Sequence, residues 1–380
     1  MPLRFLTAGE SHGPGLTIIV EGMPAGVPIS EDELAVDMRR RQGGYGRGGR
    51  QLIEEDRAII SAGTANGVTT GAPIAMTVEN KDYKNWIGKP IPMVTIPRPG
   101  HADLAGSLKF QQENMWLIAE RSSARETAAR VAAGGVAKAL LAELGVHIGG
   151  HVLAIGGVHA TVPDWPWSEL FAAAEASPVR CADEEATQKM IARIDQAKAE
   201  RESVGGIVEV VAWGVVPGLG SDVHWDRKLD GRLAAAVMSI HAIKAVEIGD
   251  GFVSSGKSGT QVQDFIRWGD GRPIRMSNHA GGTEGGITNG EPVVVHAGMK
   301  PIATTVTPQP SVDMQTGEET VMQYVRSDVC AVPAAAVVVE AMVALVLADA
   351  YLEKFGGDNI TETCSNVKHF LTAINWTAQA

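Results

Sequence analysis

The chain has 380 residues, 44% hydrophobic and 20% charged, an ordinary balance for a globular protein and long enough to bury a sizeable core. Its formal net charge of −11 excludes a general nucleic-acid binder, which needs basic stripes to neutralise phosphates. Aromatic content of 5% leaves no platform for stacking bases, and three cysteines without a CxxC spacing fit free thiols in a reducing compartment.

From the N-terminus, Met1 to Thr7 reaches Gly9-Glu10 too soon to hold a signal-peptide core, which fits a cytoplasmic protein. Gly9-Glu-Ser-His-Gly13 satisfies the G-x-S-x-G nucleophile elbow, but Leu16–Glu21 continues as a strand where that elbow needs a helix, so a serine hydrolase is set aside. Ser30 and Glu33 form a capping box that opens a helix to about Arg41. Gly44-Tyr-Gly46-Arg-Gly-Gly49 satisfies G-x-G-x-x-G, yet it follows a helix rather than a strand, which leaves a mobile glycine loop carrying Arg47 and Arg50. Strands are expected at Ala58–Ala62 and Ile74–Glu79. A second capping box, Ser123 with Glu126, opens a helix to about Leu144 whose alanines and glycines keep it thin enough to lie buried between layers.

Asp183–Glu202 reads as a solvated helix, Ile207–Val216 as a strand, and 232–246 as a helix. Helices at 125–144 and 232–246 share an arginine, an alanine pair and a lysine (Lys138, Lys244), a pattern that would fit a weak internal duplication. Gly251-Phe-Val-Ser-Ser-Gly-Lys-Ser258 matches the Walker A pattern, but Gly259 follows where a helix should run, so a surface loop is expected rather than the P-loop of a nucleotide hydrolase. Pro292–His296 reads as a strand. Pro333–Lys354 is expected to be a buried core helix rather than a membrane span, because Glu340 and Asp349 interrupt it. Strands and helices do not alternate strictly, which disfavours a doubly wound parallel sheet.

Arg41, Arg47, Arg50, Arg98, Arg125 and Arg326 lie on separate segments, several of them glycine-rich. A planar guanidinium holds carboxylate or phosphate with two hydrogen bonds, so the set points to a small ligand with several anionic groups. His12 and His101 sit in loop-like contexts near these arginines and can act as general acids. Asp328 precedes a helix, where a carboxylate either caps or takes part in chemistry. Neither a zinc spacing nor an acidic magnesium cluster is apparent.

These segments resemble the signatures of the chorismate synthase family: Gly9–Gly13, Arg39-Arg-Arg-Gln-Gly-Gly-Tyr-Gly-Arg47, Arg98-Pro-Gly-His-Ala-Asp103, Arg121-Ser-Ser-Ala-Arg-Glu-Thr127, Gly281-Gly-Thr-Glu-Gly-Gly286, Lys300-Pro301 and Arg326-Ser-Asp328. They run in the family's order from residue 9 to about 350. The resemblance implies an α+β fold, a single large catalytic domain over 1–380 with helices sandwiched between two antiparallel β-sheets. It implies the lyase reaction that eliminates phosphate from 5-enolpyruvylshikimate 3-phosphate to give chorismate in aromatic amino acid biosynthesis. It also implies reduced FMN without net redox change, a homotetramer, and an external flavin reductant, because no extra segment resembles a reductase.

By the same resemblance His12 donates a proton to the reduced flavin, His101 assists near the departing phosphate, and Asp328 relays a proton from flavin N5. The six arginines clamp the substrate. The flavin contacts would be Arg121, Ser122, Ser123, His241, Ala242, Gly285, Lys300, Pro301, Ile302, Ala303, Thr304 and Arg326, with Ser122 and Ser123 at helix amides suited to an anion. His241 stands where asparagine or glutamine is more usual in the family, and Ala245 where glycine is.

Overall fold

The computed structural model describes residues 2–49, 54–269, 271–322 and 327–376. Arg50 and Arg326 lie outside the described residues.

The chain opens with a hairpin, β1 (Arg4–Ala8) and β2 (Gly15–Glu21). Along β2 the alternation is strict: Leu16, Ile18 and Val20 point into the core. α1 (Glu31–Gln42) begins as expected, with Ser30 Oγ accepting the Glu33 N–H and three acidic residues in its first turn facing three arginines in its last. β3 (Ala58–Ala62), the short pair β4 (Thr64–Ala65) and β5 (Val68–Thr69), and β6 (Ile74–Glu79) follow. Four of these strands make an antiparallel sheet in the order β1-β2-β6-β3.

α2 (Asp103–Phe110) and α3 (Met115–Ser122) come next. The helix opened by Ser123 is two elements: a 3-10 turn over Ala124–Glu126, then α4 (Thr127–Glu143). Ser123 is extended, with ψ 144°, and caps the Arg125 N–H, so Arg121 belongs to the preceding helix rather than to one polar face shared with Arg125 and Arg130. After α4 come β7 (His147–Ile155), β8 (Val158–His159), α5 (Trp167–Ala176), α6 (Glu184–Ala199) and β9 (Gly206–Trp213). α6 is half-buried rather than solvated: Met190, Ile194 and Ala197 face the core.

The helix expected over 232–246 is α7 (Leu229–Met238) followed by β10 (Ile243–Ile248). Between them Ala242 takes φ +65°, a left-handed conformation that ends the helix direction. Lys138 is therefore helical and Lys244 is on a strand, and the shared pattern carries no repeat. A five-residue α8 (Gly251–Ser255) and two ribbons follow, β11 (Ile266–Gly269) with β12 (Arg272–Arg275) and β13 (Thr283–Glu284) with β14 (Ile287–Thr288). β15 (Val293–Met299) re-enters the second sheet, which is antiparallel in the order β10-β15-β9-β7-β8. A small pair, β16 (Pro310–Val312) and β17 (Glu319–Val321), precedes α9 (Val332–Phe355) and α10 (Ile360–Ala373).

α9 has mean hydropathy 2.0 and the length of a membrane span, but it is buried within the protein. It packs on α4, α7, α1, β7 and β9, while α4 also packs on β2. α4 comes close to α9 through Gly134, where an added Cβ would lie 2.3 Å from Ala341 Cβ and 3.0 Å from its carbonyl oxygen. Alanine is the better helix former by about 1 kcal/mol, yet overpacking a close helix pair costs about 1–3 kcal/mol. Gly134→Ala is therefore expected to destabilise in urea melts; a neutral or stabilising result would show that the two helices move apart easily.

Candidate active site

The C-terminal end of α1 sends adjacent arginines to opposite jobs, because successive helical residues point about 100° apart. Arg41 is buried: its Nε donates to Thr127 Oγ1 (2.9 Å), Nη1 to Asp56 Oδ2 (3.2 Å) and Nη2 to the Ala124 carbonyl (2.9 Å). Arg125, also buried, donates to the other Asp56 oxygen (2.5 Å), to Asn80 Oδ1 (2.7 Å) and to the Glu79 carbonyl (3.1 Å). Arg47 pairs with Asp328 at 3.3 Å, and its buried Nε has no hydrogen-bond partner among the described residues. Burial, reinforced by Arg47 and Arg125 against the pull of Asp56, lowers the Arg41 pKa to about 10. Glu54 lies 3.8 Å from Arg125, so three guanidiniums share one region with the carboxylates of Asp56, Glu54 and Asp328.

Arg40 does something else. It forms a bidentate pair with Glu340 of α9, both contacts 2.7 Å, joined by Lys138 at 2.6 Å from Glu340 and by Asp37. Glu340 is fully buried, so this member of the Arg39–Arg41 cluster is structural.

The turn Gly9–Gly13 joins two antiparallel strands, and no helix follows it. It is held on one side by Asn80, whose Nδ2 donates to the Gly13 carbonyl (2.7 Å), and on the other by Glu120, which accepts the His12 N–H (2.7 Å). The His12 ring packs against both Trp86 (4.4 Å) and Trp116 (5.1 Å), whose own rings are 5.3 Å apart, and its Nδ1 lies 2.6 Å from Glu120 Oε1. Asn80 therefore links the His12 turn to Arg125. Ser11 is buried and takes a hydrogen bond from Ser123 Oγ (3.3 Å), which is no arrangement for a serine nucleophile. Ser122 ends α3 and donates to the Ile118 carbonyl (2.7 Å), so it sits at a helix C-terminus and not, as its sequence context suggested, at amides facing an anion.

Arg98 and His101 both converge on buried Asp103. Arg98 grips it with two hydrogen bonds (2.7 and 2.9 Å), and His101 Nδ1 lies 2.5 Å away. Against the effect of burial, His101 and Arg98 hold the Asp103 carboxyl well below the usual range. Lys300 ties this loop to the far side of the protein: its Nζ donates to the Gly100 carbonyl (2.9 Å) and its backbone N–H to Ala242 (2.9 Å). Pro301, Ile302 and Ala303 continue past it, with the Ile302 carbonyl taking Ser203 Oγ (2.8 Å), to Thr304, whose carbonyl accepts Ser327 Oγ (2.8 Å). His241 Nδ1 is buried without a hydrogen bond, 3.9 Å from Glu126. Burial lowers its pKa, with Glu126 opposing and Arg130, His101 and Arg121 assisting. Arg121 turns back to Thr7 (2.8 Å).

These contacts and charge interactions form a circuit. It runs from the His101 loop by Lys300 to Ala242, His241 and Arg121, through the His12 turn and Asn80 to Arg125, Asp56 and Arg41, by charge to Arg47, and on through Asp328 and Thr304 back to the Gly100 loop. Asp328 is not the cap of α9, whose N-cap is Ala331; its carboxylate instead accepts the Gly48 N–H (2.6 Å). Gly44–Gly49 is pinned rather than mobile, since Gly46 takes φ +89° and its carbonyl accepts the Val329 N–H (2.8 Å). Gly285 stands apart, in the β13–β14 turn, with its carbonyl taken by Lys228 (3.0 Å). The Walker-like run forms the exposed α8 rather than a loop, and Lys257 is exposed. Four residues were missed as sequence signals: Asp56, Asn80, Asp103 and Glu120. Only Asp103, five residues after Arg98 in a quoted motif, was locally visible.

A family model described as chorismate synthase matches residues 3–352. The chain is 54% identical to a chorismate synthase of Moorella thermoacetica, covering 94% of this chain and 95% of that one. It is 50% identical to that of Symbiobacterium thermophilum, covering 98% and 99%. A solved structure described as "Crystal Structure of Chorismate Synthase" superposes with TM-score 0.81 at 42% identity, over 98% of each chain. On this likeness across nearly its whole length, the chain belongs to the chorismate synthase family.

Proposed function

We propose that the circuit described above is where this lyase binds 5-enolpyruvylshikimate 3-phosphate and reduced FMN, and eliminates phosphate in a 1,4 sense to give chorismate. The observation that carries the reading is the convergence of Arg41, Arg47 and Arg125 from three separate segments, with the buried Arg47 Nε unpartnered among the described residues. Two carboxylates and a phosphate are groups that such guanidiniums hold with paired hydrogen bonds. Arg98, fully engaged by Asp103, contributes to this field mainly by fixing His101. Arg50 and Arg326 complete the clamp in this reading.

The flavin-contact residues fit a planar heterocycle bearing a phosphate. The buried, unpartnered Nδ1 of His241 has an open hydrogen-bonding position, the 300–304 segment passes beside Gly100, and Arg121 and Lys300 supply cations. Ala242 and Ser123 flank this set, whereas Gly285, the remaining flavin contact of this reading, stands apart in the β13–β14 turn. When bound, reduced FMN lends electron density as phosphate leaves and recovers it with the hydrogen, so the elimination is redox-neutral. The protein's own share is position and proton traffic. His12 offers its proton at the ring nitrogen not taken by Glu120, His101 serves the departing phosphate, and Asp328, held by Gly48 and Arg47, receives a proton. The same reading includes helices α4 and α9 layered between the two sheets, one catalytic domain, a homotetramer and a separate reductant for the flavin.

Arg47→Ala separates this site from the rest of the protein. Removing Arg41 or Arg125 would strand buried Asp56, whereas Arg47 has the lighter structural duty. Its loss is expected to weaken substrate binding by about 2–5 kcal/mol, the usual cost of removing one partner of a desolvated charge pair. Lys257→Ala should leave binding and turnover within about twofold, roughly 0.4 kcal/mol. Equilibrium binding of substrate to both variants tests the reading; wild-type affinity in Arg47→Ala would refute the arginine clamp.

A further inference from the structure

We propose that Glu120 is a positioning residue for His12, holding Nδ1–H so that Nε2 is the ring nitrogen that gains and gives the transferable proton. The inference rests on the reading of His12 as a proton donor and adds the group that makes it one.

Three contacts define the arrangement. Both Glu120 side-chain oxygens go to the same residue: Oε2 accepts the His12 backbone N–H at 2.7 Å, and Oε1 lies 2.6 Å from His12 Nδ1. The Glu120 carbonyl accepts the Ser11 N–H at 3.0 Å. A carboxylate offers no proton, so Nδ1 carries the hydrogen in this contact and Nε2 is left for chemistry. Trp86 and Trp116 pack against the ring and limit its rotation. Trp116 lies one helical turn before Glu120 on α3, so one face of that helix provides both the wall and the carboxylate.

The surroundings make the pairing selective. The Glu120 side chain is only 10% exposed, and among the described residues His12 is its one ion-pair partner. Arg121, next in sequence, turns its guanidinium to the Thr7 and Gly9 carbonyls, and Lys89 lies against the Trp86 ring. A glutamate needed only to fix the turn would have no use for the Nδ1 contact.

Glu120→Gln preserves size but removes the charge and presents an amide to Nδ1, which reverses the tautomer preference. The expected result is a fall of about 10²-fold in kcat, within the range of a lost general acid. Substrate Kd should stay within about threefold, so the loss falls on kcat rather than on binding. Glu120→Asp keeps the charge one methylene short, so it recovers part of the kcat that Glu120→Gln loses; this variant also serves if Glu120→Gln does not fold. His12→Ala is measured alongside. Impaired His12→Ala together with a wild-type rate in Glu120→Gln overturns the Glu120 assignment alone. A lowered melting temperature with a wild-type kcat in the folded fraction overturns it equally. Wild-type turnover in His12→Ala refutes the donor reading itself.

Discussion

His12→Ala and Asp328→Asn are each expected to slow the chemical step by about 10²- to 10⁴-fold while substrate and flavin stay bound, because general acid–base groups contribute that much. The two losses should not multiply, since both residues serve one cycle. His12 packs against two tryptophans with one ring nitrogen engaged, a setting that orients the proton it carries. Asp328 holds the 47–48 backbone as well as Arg47, so a merely structural role would loosen that loop and weaken substrate binding. Single-turnover rates with bound substrate distinguish the two. Normal chemistry with poor binding in Asp328→Asn would move Asp328 from proton traffic to the clamp.

The largest effect on stability is expected from Glu340→Ala, about 3–5 kcal/mol, because it removes the fully buried carboxylate that half-buried Arg40 and Lys138 share and leaves Asp37 facing both. Glu340 sits at the middle of α9 and its contacts tie together α1, α4 and α9. The same cluster sets a pH dependence. Burial opposes ionisation of Asp37, but Lys138 and Arg40 outweigh it and lower its pKa to about 2. A depressed folded-state pKa contributes stability above the unfolded value near 3.9, and that stability is lost as pH falls towards 2. Urea melts should therefore show a decline from about pH 4 to pH 2, and Asp37→Asn should flatten part of it. An unchanged slope in Asp37→Asn would show that other carboxylates carry the acid sensitivity.

Local chemistry was legible and distant pairing was not. Ser30 and Glu33 announced α1, Pro333 announced the start of α9, and the small residues of α4 announced its close packing, since each signal lies within one turn of the feature it creates. The break after α7 was missed because the alanine run 234–236 reads as helix and Ile243–Ile248 carries no strict alternation to mark a strand. Arg40 looked like its neighbour Arg41 because its partner lies 300 residues away in sequence. The arginines did mark the candidate site, but Asp56, Asn80 and Glu120 were invisible there. Each is a lone polar residue whose meaning depends on which strand or helix the fold brings beside it.

The central claim, a redox-neutral elimination supported by reduced flavin, is tested most directly by one anaerobic experiment. Phosphate release from 5-enolpyruvylshikimate 3-phosphate is followed with photoreduced FMN and with oxidised FMN, while flavin absorbance is recorded in the same cell. The account predicts many phosphates released per flavin with the reduced form, no lasting flavin oxidation, and no release with the oxidised form. Equal release with oxidised FMN, or one flavin oxidised for each phosphate, would contradict it.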